Sequence, residues 1–564
     1  MENAVLSHVV GARDEALLEI TIGEALDGAA AKWSDRPALI DRGQDVRMSW
    51  GGLRRRSDAV AAGLIALGLA PGDRIGIWSL NRYEWTLVQF AAAKAGLILV
   101  TINPAYRVAE LEFALGNSGC SALVFAPSFK TSDYCAMIRE VAPELDAAAD
   151  RQLHAARLPR LRRVIQLGFD PMAGAIGFLE LEALGALAGP KAVDALAASL
   201  DRNDPVNIQY TSGTTGAPKG VTLSHRNILN NGALVGRAMR LDHEDRICIP
   251  VPLYHCFGLV MGNLACLTSG AAMVYPGEGF DPLRTLQAVA EERCTTLYGV
   301  PTMFIAALEH VDRAKLDLTC LRTGIMAGSP CPIAVMKQVV ERMHMSDVTI
   351  AYGMTETSPV SFQSGIADSL ARRVSTVGRV HPHLEVKIVD ADGSTIPRGV
   401  PGELCTRGYS VMLGYWNDPD QTAAVKDADG WMHSGDLAVL DEEGFCNIVG
   451  RIKDMVIRGG ENVYPREIEE FLYRHPAIRE VQVFGVPDDR LGEELCAWVI
   501  LHSGASLTAE ELHLFCKDKI AHQKVPRHIR FVEAFPLTAT GKAQKFVMRD
   551  LMATELRVAA PETA

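Results

Sequence analysis

The sequence is most informative at Tyr210-Thr211-Ser212-Gly213-Thr214-Thr215-Gly216-Ala217-Pro218-Lys219-Gly220. Three glycines let this backbone turn tightly and approach a ligand closely. Hydroxyl groups, free backbone N–H groups and one lysine supply donors for phosphate oxygens. The stretch lacks the Gly-x-x-x-x-Gly-Lys-Ser/Thr spacing of P-loop nucleoside triphosphatases. It therefore predicts a phosphate-binding loop of another type.

The sequence around this loop alternates between short β-branched runs and helix-like segments. An apolar run at 206–208 precedes the loop, and a helix-like segment begins at His225. Such alternation, which extends from about residue 73 to 357, is typical of α/β layers around largely parallel sheets. The predicted strands include 74–78, 97–102, 122–125, 271–275 and 348–352, and the predicted helices include 85–94, 283–292 and 333–343.

The pattern changes towards the C-terminus. Between 385 and 449, strand-like runs are bounded by turn pairs such as Asp392-Gly393 and Asp429-Gly430, which predicts a β-rich subdomain. A short α+β unit follows, with helices at 465–475 and 508–520 and strands at 481–486 and 497–501. Thr508 and Glu511 have the spacing of a capping box. We therefore predict an N-terminal domain at 1–450 and a C-terminal domain at 451–564.

Bulk composition limits the partners. The chain has 564 residues and a formal net charge of −12, which does not favour nucleic acid. Its 12 cysteines form no Cys-x-x-Cys pair and have no histidines at zinc-site spacing, as in proteins of reducing compartments. The acidic N-terminus does not resemble a targeting peptide, and Lys94 and Gly96 interrupt the apolar stretch 91–102. We expect a cytoplasmic protein without a membrane span.

Four further motifs follow the loop in order along the chain. They are Tyr352-Gly353-Met354-Thr355-Glu356, Trp431-Met432-His433-Ser434-Gly435-Asp436, Gly450-Arg451-Ile452-Lys453-Asp454 with Gly459-Gly460-Glu461, and Pro536-Leu537-Thr538-Ala539-Thr540-Gly541-Lys542. With the loop they resemble the adenylate-forming, or AMP-binding, superfamily, which includes acyl-CoA synthetases, luciferases and adenylation domains. Nearly the whole chain is covered. Segments such as Pro252-Leu253-Tyr254-His255-Cys256 are most similar to medium-chain and bacterial fatty-acyl-CoA synthetases.

This resemblance implies ATP and Mg²⁺ as cofactors. Glu356 and Thr215 are implied as metal-binding residues. Asp436 is implied to accept the ribose hydroxyls, which suits a two-oxygen acceptor, and Arg451 to contact ribose or phosphate. The implied nucleotide-binding residues are Thr211, Ser212, Gly213, Thr214, Thr215, Gly216, Lys219, Tyr352, Gly353, Thr355, Asp436 and Arg451.

The implied catalytic residues are Lys542, Glu356 and His255. The ammonium of Lys542 would lie between the attacking carboxylate and the α-phosphate and neutralise developing charge. Outside its motif, a lysine is usually an exposed surface residue. His255 would line the mouth of an acyl pocket whose walls include Phe257, Met303 and Met354.

The resemblance also implies CoA as a cosubstrate. The small domain would swing about Lys453, because hinges of this kind absorb large backbone changes at few residues. The swing would remove Lys542 and bring Gly459, Gly460 and Glu461 beside the pantetheine of CoA.

The predicted function is an ATP-dependent acid–thiol ligase of fatty-acid and lipid metabolism. A carboxylic acid and ATP would give acyl-AMP and pyrophosphate, and CoA would then give acyl-CoA and AMP. A medium-chain fatty acid is the first expectation for the substrate, and an aryl or short branched-chain acid is the alternative. A separate carrier protein remains an alternative acceptor, and a homodimer is one expected assembly. A non-catalytic binder would have lost some of Glu356, Asp436, Arg451 and Lys542, and all four are present.

Overall fold

The computed structural model of the protein describes residues 5–559, apart from 149, 212–217, 330, 460, 489, 518 and 539–541. One large sheet contains the strand that leads into the loop at 210–220. Its inner strands are parallel, and its last two strands are antiparallel. In spatial order the strands are Ile176–Gly177, Arg163–Gln166, Cys120–Phe125, Arg74–Trp78, Ile98–Thr101, Pro205–Thr211, Lys219–Ser224 and Gly414–Tyr415.

A second large sheet lies beside the first and is also parallel at its centre. Antiparallel strands lie at both of its edges. In spatial order its strands are Arg379–Val380, Val360–Gln363, Asp347–Gly353, Thr323–Ala327, Thr296–Gly299, Arg246–Cys248, Ala272–Tyr275, Pro37–Asp41 and Val46–Ser49. A two-stranded ribbon pairs Ser128–Phe129 with Ser132–Asp133.

Two helices fill the space between the large sheets. Tyr83–Lys94 is buried on every side, and His225–Ala238 contacts strands of both sheets. Because both helices bury side chains against the two sheets, they fix the sheets against one another. Lys94 is buried there and lies 2.6 Å from both Asp27 and Asp58, so its charge is paired.

The other helical segments cover the sheets and connect their strands. The α-helices of the described residues are Ile22–Trp33, Trp50–Ala66, Tyr83–Lys94, Val108–Ser118, Tyr134–Val141, Phe178–Ala188, Lys191–Ala197, His225–Ala238, Ala265–Ser269, Pro282–Glu291, Pro301–Ala314, Ile333–Arg342, Leu370–Ser375, Pro419–Val425, Pro465–Leu472, Ala509–Cys516 and Lys545–Ala559. A π-helix spans Phe257–Leu264, and 3₁₀ turns lie at Pro143–Ala147, Thr355–Thr357 and His522–Lys524. Among the described residues no helix is both long and apolar enough to cross a bilayer.

The predicted β-rich subdomain is an antiparallel five-stranded sheet. The first of its strands comes from the N-terminus and pairs with Leu384–Val389. In spatial order the strands are His8–Val10, Leu384–Val389, Gly402–Gly408, Met432–Leu440 and Cys446–Arg451. One helix, Pro419–Val425, interrupts the run of strands.

The C-terminal domain is a small α+β unit, as predicted. Its sheet has the order Glu461–Val463, Val456–Arg458, Gly492–Leu501, Ile478–Asp488, with His528–Phe531 parallel to Gly492–Leu501. Thr508 and Glu511 form the expected capping box. The helix that they open ends at Cys516, before the predicted end at residue 520, because Lys517 is extended. The predicted fold class, a large layered α/β domain with a β-rich subdomain and a small α+β domain, is confirmed.

The loop at 210–220 differs in context from the sequence interpretation. A strand, Lys219–Ser224, lies between the loop and the helix at His225. Thr211 and Lys219 are cross-strand partners, so the loop closes a β-hairpin. The loop leaves the carboxyl end of a parallel strand, and in α/β sheets ligands bind at that edge.

Candidate active site

The structure describes only the two ends of the predicted phosphate loop. Thr211 ends one strand, and Lys219 begins the next. Ser212, Gly213, Thr214, Thr215 and Gly216 lie outside the described residues. The Nζ atom of Lys219 donates to Gln421 Oε1 at 2.6 Å and lies 5.0 Å from the centre of the Tyr415 ring. The lysine is therefore held at the mouth of the hairpin.

Glu356 lies on the turn that follows the strand Asp347–Gly353. It is buried in the 3₁₀ turn Thr355–Thr357 and accepts a hydrogen bond from Tyr415 Oη at 2.8 Å. The backbone carbonyl of Glu356 accepts from the N–H of Met412 at 2.9 Å. Tyr415 thus contacts both Glu356 and Lys219, two residues that the sequence placed in one site.

Gly353, just before this turn, admits no side chain. A Cβ atom at this position would lie 1.7 Å from the carbonyl oxygen of Pro359. The close approach explains why glycine occupies the end of the strand.

Asp436 lies within the strand Met432–Leu440 and is buried. Tyr352 Oη donates to its Oδ2 at 2.5 Å, and Arg451 Nε donates to its Oδ1 at 3.0 Å. Arg451 is its cross-strand partner. The carboxylate raises the pKa of Arg451, and burial followed by the same carboxylate raises the pKa of Tyr352. Both groups thus remain donors towards Asp436 at neutral pH.

The strand that carries Asp436 is positioned by two residues of its own motif, Ser434 and Gly435, and by Glu403, to which no motif in the sequence pointed. Glu403 Oε1 accepts the N–H of Gly435 at 3.0 Å, and Gly435 has a φ of 69°. Ser434 Oγ donates to the carbonyl of Leu404 at 2.6 Å and accepts the N–H of Asp436 at 3.1 Å. These bonds fix the bend from which Asp436 projects.

Lys542 reaches the large domain from the far end of the chain. Its Cε lies 3.9 Å from the position that a Cβ would take at Gly328, a glycine with a φ of 92°. Burial lowers the pKa of Lys542, and the charge of Arg451 lowers it further, whereas the charges of Asp436 and Glu356 raise it. The predicted catalytic lysine and the predicted nucleotide residues therefore share one electrostatic environment.

Thr538 holds the backbone around Lys542. The N–H of Thr538 donates to the carbonyl of Lys542 at 2.8 Å, and its hydroxyl accepts the N–H of Lys542 at 3.0 Å. Lys545, three residues further, lies 2.7 Å from the buried carboxylate of Glu469 in the C-terminal domain. Lys542 is thus carried on a turn that is anchored to the C-terminal domain.

His255 lies beside Lys542, immediately before the π-helix. Its Nδ1 accepts the N–H of Phe257 at 3.2 Å, so the ring proton is on Nε2. Burial lowers the pKa of His255 to about 3, and the charge of Lys542 contributes. The imidazole is therefore neutral at physiological pH. π-Helical segments are frequent at functional sites.

The structure does not bring the predicted CoA loop to this site. Gly459 turns between the strands Val456–Arg458 and Glu461–Val463 with a φ of 60°, and its N–H donates to the carbonyl of Leu491 at 2.8 Å. Glu461 is exposed, and Gly460 lies outside the described residues. Among the described parts of the C-terminal domain, it is Lys542 that lies beside Gly328 and His255.

Comparisons with known proteins identify the family of this chain. The family model for AMP-binding enzymes matches residues 26–416, and the model for the AMP-binding enzyme C-terminal domain matches residues 467–542. The putative acyl-CoA synthetase YngI of Bacillus subtilis (strain 168) is 48% identical over 535 residues, which cover 95% of this chain and 97% of that protein. The mitochondrial medium-chain acyl-CoA ligase ACSF2 of Homo sapiens is 43% identical, over 98% of this chain and 91% of its own.

Solved structures are similar over the whole length. The anthranilate CoA ligase AuaEII, in complex with anthranoyl-AMP, has a TM-score of 0.84 and 27% identity, and covers 97% of this chain and 99% of its own. ATP-bound MatB from Rhodopseudomonas palustris has a TM-score of 0.78 and 26% identity, over 95% of this chain and 99% of that one. The similarity extends across both domains in each case.

Proposed function

The chain belongs to the family of AMP-binding enzymes and is an AMP-forming acyl-CoA ligase, and on this premise we propose that it activates medium-chain fatty acids through an acyl-adenylate. The observation that carries the acyl-adenylate step is the position of Lys542, which comes from the C-terminal domain and shares its surroundings with Arg451, Asp436 and Glu356. An ammonium group at this position suits the transfer of an adenylyl group, because it can neutralise phosphoryl charge.

In the first half-reaction the fatty carboxylate attacks the α-phosphate of ATP and pyrophosphate leaves. Catalysis of this step is mostly positioning and neutralisation of phosphoryl charge. We assign that neutralisation to Lys542, whose charged form is already disfavoured by burial and is restored by an anionic ligand. Neutral His255 contacts the same region and would donate from Nε2 without adding charge.

We assign the nucleotide to the surface formed by Tyr352, Asp436 and Arg451. Asp436 has two carboxylate oxygens that now accept from Tyr352 and Arg451. A carboxylate accepts through several lone pairs, so it can take up ribose hydroxyls while it keeps these donors. Thr211 and Lys219, at the two ends of the loop, would face the β- and γ-phosphates. Gly353 precedes the adjoining turn, and Thr355 lies on it.

Mg²⁺ would be held by Glu356. The fit is chemical: Mg²⁺ prefers oxygen ligands and binds through one or two carboxylates plus substrate phosphates. Glu356 offers a buried carboxylate whose Oε1 is oriented by Tyr415. When bound, the ion would neutralise charge on the phosphate oxygens. Thr215, the second expected metal-binding residue, lies outside the described residues.

In the second half-reaction the thiol of CoA attacks the acyl carbonyl and AMP leaves. We propose that the C-terminal domain rotates about Lys453 for this step, which withdraws Lys542 and presents the turn at Gly459 to Glu461. Glu461 is exposed in the present orientation and is free to change its surroundings. The domain boundary at 450/451 remains a prediction of the same proposal.

The acyl chain would extend from His255 along Phe257, Met303 and Met354. The medium-chain preference rests on the names of the ACSF2 relatives, since ligand specificity belongs to the site and not to the fold. An aryl acid is the second candidate, because the anthranilate CoA ligase is structurally similar over nearly the whole chain.

The test is a release assay for AMP and acyl-CoA across a panel of acids. The panel contains saturated fatty acids of increasing length, benzoate derivatives and short branched acids, each with and without CoA. Release of AMP and acyl-CoA that requires CoA and peaks with medium-chain acids supports the proposal. A peak with aryl acids moves the substrate to the second candidate. AMP release that ignores CoA on every acid would favour transfer to a separate carrier protein.

We also propose a cytoplasmic location. All twelve cysteines are free, and most of them are buried, as expected in a reducing compartment. Subcellular fractionation with an antibody against this chain checks the proposal, and enrichment with another compartment contradicts it.

A further inference from the structure

A second cluster of ligand-forming side chains lies in the β-rich subdomain. Glu403 and Cys405 lie on the strand Gly402–Gly408, and His433 lies on the neighbouring antiparallel strand. Cys405 and His433 are direct cross-strand partners. The sequence separates them by 28 residues, so no spacing rule for zinc sites would find them. The strand pairing brings a carboxylate, a thiol and an imidazole to one point.

The distances converge on one nitrogen. His433 Nδ1 lies 2.9 Å from Glu403 Oε2 and 3.5 Å from Cys405 Sγ. One ligand-type atom from each of the three residues lies within 4.8 Å of the others. Tetrahedral coordination at bonds of about 2.0 to 2.3 Å needs ligand atoms at such separations. An ion pair between Glu403 and His433 would not by itself require the Cys405 thiol to lie beside the same nitrogen of His433.

We propose that Glu403, Cys405 and His433 bind a divalent transition metal such as Zn²⁺, at a site separate from Glu356 and the nucleotide surface. The mixed nitrogen, sulfur and oxygen donor set suits Zn²⁺, which accepts all three, and does not suit Mg²⁺, which demands oxygen ligands. Three protein ligands leave the fourth position to water.

Access to the site is from the side of the imidazole. The side chains of Glu403 and His433 are 22% and 33% exposed, whereas Cys405 is fully buried. Cys405 packs with Val389 and Trp431 on its other side. The ion would thus rest on a buried sulfur and face solvent at its open position.

The surrounding groups suit a metal site. Glu403 Oε1 already accepts the N–H of Gly435, so the carboxylate is oriented and Oε2 is directed at the cluster. Asp427 Oδ2 lies 4.0 Å from His433 Nε2, on the far side of the ring. A histidine bound to metal through Nδ1 carries its proton on Nε2, and a carboxylate beside that nitrogen is the usual partner.

Binding changes the protonation of two ligands. The Cys405 thiol gives its proton to solvent and binds as a thiolate. His433 binds through a deprotonated Nδ1: a neutral ring exchanges its Nδ1 proton through solvent for one on Nε2, and a protonated ring releases its Nδ1 proton to solvent. Glu403 and the thiolate together offset the charge of the divalent ion, so no uncompensated charge is buried.

The experiment is a cobalt titration of the full-length protein after treatment with a chelator. Co²⁺ takes the same ligands as Zn²⁺ and gives a sulfur-to-metal charge-transfer band when a thiolate binds. We expect this band to saturate at one equivalent, to survive an excess of Mg²⁺ and to disappear when Zn²⁺ is added. A wild-type protein that shows no such band would overturn the proposal without any variant.

Two variants locate the sulfur. Cys405→Ser should lose the band and at least about a hundredfold in Co²⁺ affinity, because it removes a ligand and not only its support. Cys446→Ser is the matched control, since Cys446 is buried in the same sheet. If Cys405→Ser does not fold, His433→Gln serves in its place. A band that persists in a folded Cys405 or His433 variant would place the metal elsewhere and contradict the assignment.

Discussion

Replacing Lys542 with alanine should abolish most of the first half-reaction and leave the second largely intact. Lys542 is half-buried beside Gly328 and His255, and burial already lowers its pKa. Its side chain is therefore partly desolvated before ATP binds. The charge that it offers to a phosphate oxygen acts in a medium less polar than water.

The magnitude follows from Coulomb's law. Two unit charges about 4 Å apart attract by about 4 kcal/mol at an effective dielectric constant near 20, the value suited to partly buried groups. A loss of about 4 kcal/mol of transition-state stabilisation corresponds to roughly a thousandfold in rate. Removal of one electrostatic donor in other enzymes costs about 10² to 10³ in kcat. We therefore expect pyrophosphate release by Lys542→Ala to fall about 10²- to 10³-fold.

The assay measures pyrophosphate release with ATP and the preferred acid, without CoA. A second assay supplies preformed acyl-adenylate and CoA and follows acyl-CoA. Lys524→Ala is the control, because this lysine of the same domain pairs with Glu467 on the surface and such pairs contribute little. The assigned role would be refuted if Lys542→Ala lost less than about tenfold of its activity in the first assay, or if it lost the same fraction of activity in both assays.

The same lysine should set the alkaline limit of the first half-reaction. Because its pKa is lowered below the ordinary value of 10.5, the ammonium is lost as pH rises through that lowered pKa. In the free enzyme, which kcat/KM for ATP reports, this decline should therefore begin at a lower pH than it would with a lysine of ordinary pKa. Bound ATP adds negative charge and raises the pKa, so kcat should decline later. An alkaline limb that is unchanged in the residual activity of Lys542→Ala would exclude this assignment.

Two further predictions concern other contacts. Tyr415→Phe removes the hydrogen bond to the buried carboxylate of Glu356 but keeps the aromatic ring beside Lys219. We expect kcat/KM for ATP to fall about tenfold or more. An unchanged kcat/KM would show that the hydrogen bond does not orient Glu356. Glu494→Ala leaves the guanidinium of Arg458 without its buried partner, so the free energy of unfolding of the C-terminal domain should fall by about 3 to 5 kcal/mol in a denaturant titration. Recovery of stability in the double variant with Arg458→Leu would support this cause. A decrease below about 1 kcal/mol would contradict it.

Much of the fold follows from local sequence patterns. The strand Arg74–Trp78 agrees with its prediction at both ends, and the helix Ile333–Arg342 agrees to within one residue. Thr508 and Glu511 form the predicted cap because that interaction is made within one helical turn. The strand Lys219–Ser224 was missed since it is short and runs directly into the signals of the helix at His225.

The sequence could propose the residues of the candidate site but not the contacts between them. Motifs identified Glu356, Asp436 and Lys542, and the structure brings them into one electrostatic environment. Tyr415 was not assigned a role, because its bond to Glu356 depends on the pairing of its strand with Lys219–Ser224. The cluster at Glu403 was likewise hidden, since its geometry depends on a register shift between Glu403 and Cys405.

If the C-terminal domain rotates as proposed, its orientation and the binding of ATP are linked. In the present orientation Lys542 is desolvated and lies near the positive charge of Arg451, and both effects disfavour its ammonium. Glu480 of the C-terminal domain is half-buried near Glu309 of the large domain. Burial raises the pKa of Glu480, the neighbouring Arg479 lowers it, and the like charge of Glu309 raises it. Burial of these charged groups opposes closure, while Arg466 donates to the carbonyl of Ile448 and favours closure. An anionic nucleotide beside Lys542 would offset the cost of burying its ammonium. Since linkage is reciprocal, ATP favours the closed domain by the same free energy with which closure favours ATP. On the proposed two-step mechanism, release of pyrophosphate would withdraw part of that charge, so completion of the first half-reaction would itself weaken the orientation that served it.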